Sequence, residues 1–304
     1  MEQIYELIII GSGPAGLSAA IYAQRARLNT LVIEKEMMSG GQVLTTCDVD
    51  NYPGLPGVGG FELGMKFREH AEQLGTSFAV DQVTGIEEEG ECKAVVCENG
   101  RYRAKAVLIA SGAAHRKLGV PGEEELAGMG VSYCATCDGA FFRNKVTAVV
   151  GGGDVALEDA VFLSRMCSKV YLIHRRDELR GARSLQETLF KQDNIEVLWD
   201  TEVTKIQGES QVEGIRIKNK KTGEESGLAV QGVFIAVGIT PNSQAFQGIV
   251  DMRQGYIVAG EDGRTSAEGI FAAGDVRDKQ LRQIITAAAD GANAVTSVER
   301  YLRG

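Results

Sequence analysis

Two stretches of the chain share one pattern of apolar and polar positions. Residues 5–36 and 145–176 each begin with an apolar, β-branched run, pass through glycines, and then place small and apolar residues at helical spacing. A second apolar run follows, at Leu31–Ile33 and at Val170–Ile173. This order predicts a strand, a helix and a parallel strand. The stretches align without a gap, 140 positions apart, so the chain contains an internal repeat.

The glycines of both turns predict dinucleotide binding. In such a turn the first glycine makes the bend, the second lets the backbone approach a pyrophosphate, and the third packs the helix against the strand. The N–H groups at the helix start then face the phosphates. Two glycine turns without a ligand remain the alternative. The residues concerned are Gly11, Gly13 and Gly16 in the first turn, and Gly151, Gly153 and Ala156 in the second.

The rest of the chain follows the same repeat. Polar stretches with short strands, 83–104 and 203–230, each lead to a similar apolar strand, 107–112 and 233–238. Segment 270–275 and a helix from Gln283 have no counterpart in the second half, so they complete the first. We predict an α/β fold of two Rossmann-like, three-layer ββα domains, the second inserted into the first. The first domain comprises residues 1–113 and 243–304, and the inserted domain comprises 114–242.

The last residue of the second strand in each repeat predicts which dinucleotide is bound. Glu34 can accept hydrogen bonds from both ribose hydroxyls and repels a 2′-phosphate, so the first site suits FAD or NAD. The equivalent position is His174, followed by Arg175, Arg176 and, four residues on, Arg180. Guanidinium groups pair with a phosphate dianion, so the second site suits NADPH. A solvated basic helix start is the alternative.

Composition and charge exclude several classes of protein. The chain has 304 residues and a net charge of −9, which argues against a nucleic-acid binder and against docking on an anionic membrane. No apolar run approaches the ~20 residues of a spanning helix. The N-terminus lacks a basic leader, so we expect a cytoplasmic protein. Six cysteines are too few for a disulfide scaffold, and one C-x-x-C without a second pair predicts no metal site.

Cys134 and Cys137 form that closely spaced pair. In an acidic protein with two nucleotide folds, C-x-x-C predicts a redox dithiol, although two buried structural thiols are the alternative. Asp138 either moves the proton of thiol–disulfide exchange or shapes the turn with Gly139. The remaining cysteines are expected to be structural. They are Cys47, Cys92, Cys97 and Cys167.

Further side chains are interpreted without a chemical role. His70 and His115 are expected at the surface or in a linker. The pairs Met37-Met38 and Phe141-Phe142 are expected to pack.

Over essentially its full length, the sequence resembles the low-molecular-weight thioredoxin reductases. CATCD placed just before GGGDVA, with HRR following, is the specific combination, whereas GSGPAG is common to many flavoproteins. The motifs are GSGPAG (11–16), GGQ (40–42), DNYPG (50–54), CATCD (134–138), GGGDVA (151–156), HRRDELR (174–180), AAGDV (272–276) and RQIITAAADG (282–291).

The resemblance implies an electron relay from NADPH through FAD and the dithiol to thioredoxin or a thioredoxin-like protein, in a homodimer. It implies that Cys137 faces the flavin, that Cys134 attacks the partner disulfide, and that Asp138 is the acid–base group. The implied FAD residues are Gly11, Ser12, Gly13, Pro14, Ala15, Gly16, Glu34, Gly41, Gln42, Asn51, Val83, Gly112, Asp275, Arg282, Gln283 and Ile284. The implied NADPH residues are Gly151, Gly153, Asp154, Ala156, His174, Arg175, Arg176 and Arg180.

Alternatives of other classes stay open at this point. A flavin-dependent dithiol oxidase would pass electrons to oxygen, and a reductase of the same fold could use another electron donor. A non-enzymatic nucleotide sensor would use the C-x-x-C as a structural clip. The sequence departs from the family pattern at Ser111, where Thr is usual, and at Gly181, where Ala is usual.

Overall fold

A computed structural model of the chain describes residues 3–46 and 48–304. The chain divides into two compact units. The first comprises Met1–Leu44, Tyr52–Ala114 and Thr240–Gly304, and the second comprises Thr45–Asn51 and His115–Ile239. The predicted domain boundaries, at 113/114 and 242/243, stay a prediction, and the division assigns Thr45–Asn51 to the second unit.

In each unit a strand, a helix and a strand follow one another, as the repeat predicts. The strands are β1 (Ile4–Ile10), β2 (Thr30–Glu34), β3 (Asp48–Val49), β4 (Val58–Gly59), β5 (Ser77–Val80), β6 (Val83–Glu89), β7 (Cys92–Cys97), β8 (Arg101–Ile109), β9 (Ala113–His115), β10 (Val131–Ser132), β11 (Val146–Gly151), β12 (Lys169–Ile173), β13 (Ile195–Leu198), β14 (Thr201–Gln207), β15 (Gly214–Asn219), β16 (Glu225–Leu228), β17 (Gly232–Ala236), β18 (Ile239–Pro241), β19 (Met252–Arg253), β20 (Tyr256–Ile257) and β21 (Ile270–Ala272). The α-helices are α1 (Pro14–Arg25), α2 (Gly60–Gln73), α3 (Ala135–Asp138), α4 (Asp154–Ser164), α5 (Arg183–Leu189) and α6 (Ile284–Arg303). Short 3-10 helices lie at Gly41–Thr45, Gly139–Phe142, Gln244–Phe246 and Gly274–Val276.

The first unit is built on one seven-stranded sheet in the order β5-β2-β1-β8-β7-β6, with β21 paired to β8. Strands β5, β2, β1, β8 and β21 are parallel, whereas β8, β7 and β6 form an antiparallel meander. The late segment Ile270–Ala272 therefore joins the sheet of the N-terminal repeat. This confirms that the end of the chain completes the first fold.

The second unit holds a five-stranded parallel sheet in the order β10-β17-β11-β12-β13 and a separate antiparallel sheet, β14-β15-β16. Strand β11, helix α4 and strand β12 repeat the arrangement of β1, α1 and β2. The two predicted strand–helix–strand units are confirmed, and with them the α/β fold class.

Burial explains why the central strands are continuous apolar runs. Ile8 and Ile9, which point to opposite faces of β1, are both fully buried, as expected for a parallel sheet covered on both sides. Helices α1 and α6 pack closely on one face, because a Cβ on Gly291 would lie 2.1 Å from the carbonyl oxygen of Ala15. Within the described residues, no helix combines the length and the apolar character needed to cross a bilayer.

Candidate functional site

The first glycine turn joins β1 to α1, and two of its glycines lie so close to neighbouring backbone that a side chain would not fit. A Cβ on Gly11 would lie 2.5 Å from the carbonyl oxygen of Ala110, and one on Gly16 would lie 1.9 Å from that of Gly11. Gly13 differs, because the nearest atom to its Cβ position is 4.0 Å away. Gly11 and Gly16 therefore serve the packing of the turn, and Gly13 leaves a face that a ligand can approach.

Gly41 lies beside this open face. Its φ is +60°, and its Cβ position is 3.5 Å from Cα of Gly13. The amide of Gly40 donates to the carbonyl of Ser12 at 2.8 Å. The structure thus brings the GGQ segment and the first glycine turn together, as the predicted FAD site requires.

The carboxylate of Glu34 accepts four hydrogen bonds from protein donors. Its Oε2 accepts from the amide of Ser12 at 2.7 Å and from the Ser12 hydroxyl at 2.8 Å. Its Oε1 accepts from the amides of Lys35 and Glu36 at 2.9 and 3.3 Å. A carboxylate has about four acceptor positions, so a ribose hydroxyl must replace one donor. The rotatable hydroxyl of Ser12 is the replaceable one.

Asp275 has a buried oxygen that could accept a hydrogen bond from a polar ligand. Its Oδ1 is buried and accepts no hydrogen bond from any residue that the structure describes. Burial raises the pKa of Asp275, while Lys279 and Arg282 oppose that shift and Asp290 adds to it. A buried acceptor of this kind is usually satisfied by a partner, so this atom matches the donor hydroxyls of the flavin side chain. The residues present therefore fit the cofactor.

Asp290 is a buried acid beside the candidate site that the sequence did not single out. Asp290 belongs to helix α6, and its carboxylate accepts a hydrogen bond from the amide of Gly274 at 3.0 Å. It also forms buried ion pairs with Arg277 at 2.9 Å and Lys279 at 2.8 Å. Asp290 thereby anchors the turn that carries Asp275. An acid among alanines in TAAADG was the available clue, but its partners lie 11 to 16 residues earlier, outside the helix.

The other predicted flavin residues are placed around these elements. The side chain of Gln283 caps α6 in a reciprocal arrangement with Thr286, and Ile284 begins the helix. The guanidinium of Arg282 lies 4.2 Å from the Tyr256 ring centre. The remaining positions are Pro14 and Ala15 at the start of α1, Gln42 in the first 3-10 helix, Val83 at the start of β6, Gly112 with φ +68°, and Asn51 in the segment assigned to the second unit.

The second glycine turn repeats the packing of the first. A Cβ on Gly151 would lie 2.4 Å from the carbonyl oxygen of Ala236, and Ala156 is fully buried. No atom lies within 4 Å of the Cβ position of Gly153. Asp154 begins α4 and accepts from the amide of Ala182 at 2.7 Å. The open face at Gly153 fits a pyrophosphate, whereas Asp154 is engaged in holding the following loop.

The basic segment after β12 separates into one buried ring and three exposed cations. Arg175, Arg176 and Arg180 are exposed, and among the described residues none of their guanidinium groups has a hydrogen-bond or ion-pair partner. His174 is 4 % exposed, and its ring nitrogens lie 3.0 Å from the carbonyl oxygen of Gly151 and 2.9 Å from that of Glu178. The ring of His174 is already engaged, so only the three arginines of the predicted set are free to contact a 2′-phosphate.

Asp177, one of the two acids in this segment, is neutralised from outside it. Lys221 forms ion pairs with Asp177 at 2.9 Å and with Asp200 at 3.0 Å. The hydrogen bond and charge of Lys221 lower the pKa of Asp177. Asp177 therefore offers little competition to a phosphate for the three arginines.

Cys134 and Cys137 form a disulfide at the start of helix α3, with their Cα atoms 5.3 Å apart. Both side chains are half-buried. The amide of Cys134 donates to the hydroxyl of Ser132 at 3.1 Å, and that hydroxyl donates to Asp138 at 2.5 Å. One serine therefore ties the backbone of the disulfide to the carboxylate predicted to move its proton.

A cavity of about 230 Å³ opens beside Asp138. Phe141, on its wall, is 40 % exposed, whereas Phe142 is buried and packs on Phe234 with ring centres 5.2 Å apart. The prediction that both rings pack is confirmed for Phe142 alone. The full lining is Gly128, Gly130, Val131, Ser132, Asp138, Phe141 and Phe142.

The strand that precedes the disulfide is held by a buried acid absent from the predictions. Glu123, 1 % exposed, accepts from the hydroxyl of Tyr133 at 2.8 Å and from the amides of Leu118 and Gly119. The Tyr133 ring stacks on His115 at 5.2 Å. His115 lies in strand β9, as the linker prediction expects.

The free thiols are structural, as predicted for Cys92, Cys97 and Cys167, which are all buried. Burial, with Asp81 adding to it, raises the pKa of Cys97 to about 12, so its thiol stays protonated. Cys47 lies outside the described residues. Met37 and Met38 are 86 % and 45 % exposed, so the prediction that they pack is wrong. The described residues contain no group of three or more His, Cys, Asp or Glu that could hold a metal ion.

Two parallel-sheet units with glycine turns, one of them carrying a C-x-x-C disulfide, define a dinucleotide-dependent disulfide oxidoreductase. A family model described as pyridine nucleotide-disulphide oxidoreductase matches residues 5–291. The chain belongs to this family and, within it, to the thioredoxin reductases. It is therefore an oxidoreductase that uses a flavin and a pyridine nucleotide.

Individual relatives match over nearly the whole chain. A thioredoxin reductase of Bacillus subtilis is 46 % identical over 303 residues, covering 99 % of this chain and 96 % of that protein. One of Listeria monocytogenes is 47 % identical over 304 residues, covering 99 % and 95 %. The crystal structure of thioredoxin reductase from Streptococcus pyogenes superposes with a TM-score of 0.95 at 45 % identity, covering 100 % of this chain and 99 % of that one.

Proposed function

We propose that the chain catalyses the NADPH-dependent reduction of a thioredoxin disulfide, with FAD in the first unit supplying two-electron transfer between the nicotinamide and the Cys134–Cys137 disulfide. The observation that carries this proposal is a C-x-x-C disulfide in the same unit as a glycine turn and three unpaired arginines. The curated relatives named thioredoxin reductase support the choice of partner.

The first unit binds FAD through its open glycine face and its buried acceptor. Gly13 and Gly41 would let the backbone approach the pyrophosphate, and the N–H groups at the start of α1 would bind it. Asp275 would accept hydrogen bonds from hydroxyls of the flavin side chain. The N-terminus of α6, capped by Gln283, would supply positive potential that stabilises negative charge on the flavin.

The second unit selects NADPH through charge. Arg175, Arg176 and Arg180 offer paired N–H donors to a 2′-phosphate dianion, which NADH lacks. Lys221 keeps Asp177 occupied, so this carboxylate offers the arginines little competition. Gly153 leaves room for the pyrophosphate at the start of α4.

The dithiol transfers the electrons by exchange. The Cys134 thiolate attacks one sulfur of the partner disulfide, that bond breaks, and a mixed disulfide forms. The Cys137 thiolate then attacks Cys134, the partner leaves as its second thiolate, and the Cys134–Cys137 bond is restored. The partner takes up two protons, and Asp138, held by Ser132, is placed to move one of them.

A coupled assay tests the function. Purified protein with NADPH and thioredoxin should oxidise NADPH, and the Cys134→Ser variant should lose this activity while keeping its flavin spectrum. Cys92→Ser, which alters a buried free thiol, is the matched control. Rapid oxygen consumption with small dithiols and no turnover with thioredoxin would instead identify a dithiol oxidase.

We also propose that the protein acts as a homodimer in the cytoplasm. The family resemblance supports this, and so do Phe61 and Met65, apolar side chains one turn apart on α2 that are 52 % and 39 % exposed. Light scattering of the purified protein should give twice the chain mass of 32.6 kDa. A monomer at working concentration would contradict the assembly.

A further inference from the structure

The imidazole of His174 bridges two segments that the nucleotide site brings together. Its Nδ1 faces the carbonyl of Gly151 at 3.0 Å, in the glycine turn, and its Nε2 faces the carbonyl of Glu178 at 2.9 Å, in the basic segment. The backbone of His174 is fixed as well, by hydrogen bonds with Leu198 and Thr201. A carbonyl oxygen only accepts, so a neutral ring donates to one of the two carbonyls and packs against the other. Buried between them, the ring is fixed in place.

Gly152 is matched to this ring. A Cβ at Gly152 would lie 2.2 Å from Nδ1 and 2.3 Å from Cε1 of His174. Gly152 is not among the positive-φ glycines, so its backbone would accept other residues. With the ring in this position there is no room for a Cβ at position 152, so the ring of His174 can sit here only against a glycine.

Gly152, which contacts the ring of His174, is also hydrogen-bonded to the backbone of the arginine segment. The carbonyl of Gly152 accepts from the amide of Arg180 at 2.7 Å and from that of Gly181 at 3.2 Å. At the other end of the segment, the carbonyl of Arg176 accepts from the amide of Asp200 at 3.1 Å. The exposed guanidinium groups thus extend from a backbone that is clamped to the glycine turn.

We propose that His174 is a positioning residue for 2′-phosphate recognition. Seated against Gly152, its ring holds the basic segment in the register that lets Arg175, Arg176 and Arg180 meet one phosphate group. This proposal rests on the proposed NADPH site. The arginines make the selection by charge, and the contact between Gly152 and His174 holds their backbone where they can make it.

Two small ligands isolate this role. Adenosine 2′,5′-bisphosphate carries the 2′-phosphate and 5′-AMP lacks it, so the ratio of their dissociation constants on the flavin-loaded protein reports 2′-phosphate recognition alone. We expect His174→Ala to lower the preference for the bisphosphate about tenfold, since small misplacements of binding groups carry costs of this order or larger. Binding of 5′-AMP should change by less than about twofold. His70→Ala, an exposed histidine on α2, is the control.

Gly152→Ala supplies an independent route to the same result. The new methyl displaces the ring, so this variant should lose the same preference with His174 still present. The double variant should be no worse than either single one, because both remove one contact. In turnover assays all three should raise KM for NADPH while kcat is kept, and their flavin absorbance confirms that the first unit is folded.

The outcomes separate the two proposals. Equal binding of both ligands by the wild-type protein would overturn the NADPH site and the role of His174 with it. A wild-type preference that survives in His174→Ala, or a variant that weakens both ligands equally, would overturn the positioning role and leave the NADPH site standing. Additive losses in the double variant would show that Gly152 and His174 act separately, against the proposal.

Discussion

The carboxylate of Glu34 accepts hydrogen bonds from both the amide and the hydroxyl of Ser12, at 2.7 and 2.8 Å. In the internal repeat these positions correspond to His174 and Gly152, which are also in contact. In each half, the residue after the first glycine contacts a residue at the end of the second strand: Glu34 is the last residue of β2, and His174 directly follows β12. Both halves therefore keep this contact with different chemistry. In the first half a carboxylate accepts hydrogen bonds from serine, and in the second half an imidazole ring packs against the backbone of a glycine.

The first prediction concerns Glu34→Gln. The change removes a charge from hydrogen bonds that hold the first glycine turn, and bonds to charged groups contribute about 1.5–3 kcal/mol. We expect the dissociation constant for FAD to rise at least about tenfold, measured by titrating the apoprotein with FAD. Glu36→Gln, an exposed carboxylate two residues on, should leave it unchanged. Equal FAD affinity in both variants would contradict the role of Glu34.

The second prediction concerns the three arginines. Replacing Arg175, Arg176 and Arg180 together by alanine removes the unpaired cations of the second site. We expect KM for NADPH to rise about 100-fold or more with kcat nearly unchanged, and KM for NADH to change by less than about threefold. Steady-state kinetics with both nucleotides measures this. Arg143→Ala, an exposed arginine of the same unit, is the control, and a parallel loss for NADH would refute the assignment.

Local patterns were enough to predict the fold and the positions of both turns. Apolar runs and glycine spacing depend on neighbours along the chain, so β1, α1 and β2 and their second copy followed directly. The burial of His174 could not be predicted, because a polar ring is exposed or buried according to what the fold places against it, here Gly152. Local apolarity also misplaced Met37, which the structure leaves exposed.

The partners of buried acids could not be predicted from the sequence either, because they too depend on which segments the fold brings together. Asp290 meets Arg277 and Lys279 across a turn, and Glu123 meets Tyr133 across a loop. No periodicity marks such pairs, since each partner is ordinary in its own segment. They determine how firmly a site is held, whereas the motifs determine where it lies.

The third prediction concerns Asp290→Ala in helix α6. Its loss leaves the buried cations of Arg277 and Lys279 without their counter-charge, and breaking a buried pair in this way costs about 3–5 kcal/mol. We expect the free energy of unfolding, from urea titration, to fall by about that amount, and FAD to be released at a lower temperature. Glu299→Ala removes an exposed pair with Arg303 on the same helix and should cost less than about 0.5 kcal/mol. Similar losses in both variants would argue against Asp290 as an anchor.

The fourth prediction concerns the pH dependence of stability at Asp159 in helix α4. Burial, with Glu158 adding to it, raises the pKa of Asp159 from 3.8 to about 7. The folded state therefore holds a proton that the unfolded chain has lost, so this group's contribution to stability is full below pH 4 and is lost as pH rises through about 7. Asp159→Asn removes that titration, and we expect it to stabilise the protein by about 2 kcal/mol at pH 8 and by about 1 kcal/mol at pH 5, about half of what the full shift implies because the side chain is not completely desolvated. Urea unfolding at the two pH values measures the difference, with Glu187→Gln on the exposed face of α5 as the control. A gain that is the same at both pH values would show that the carboxyl of Asp159 is ionised throughout.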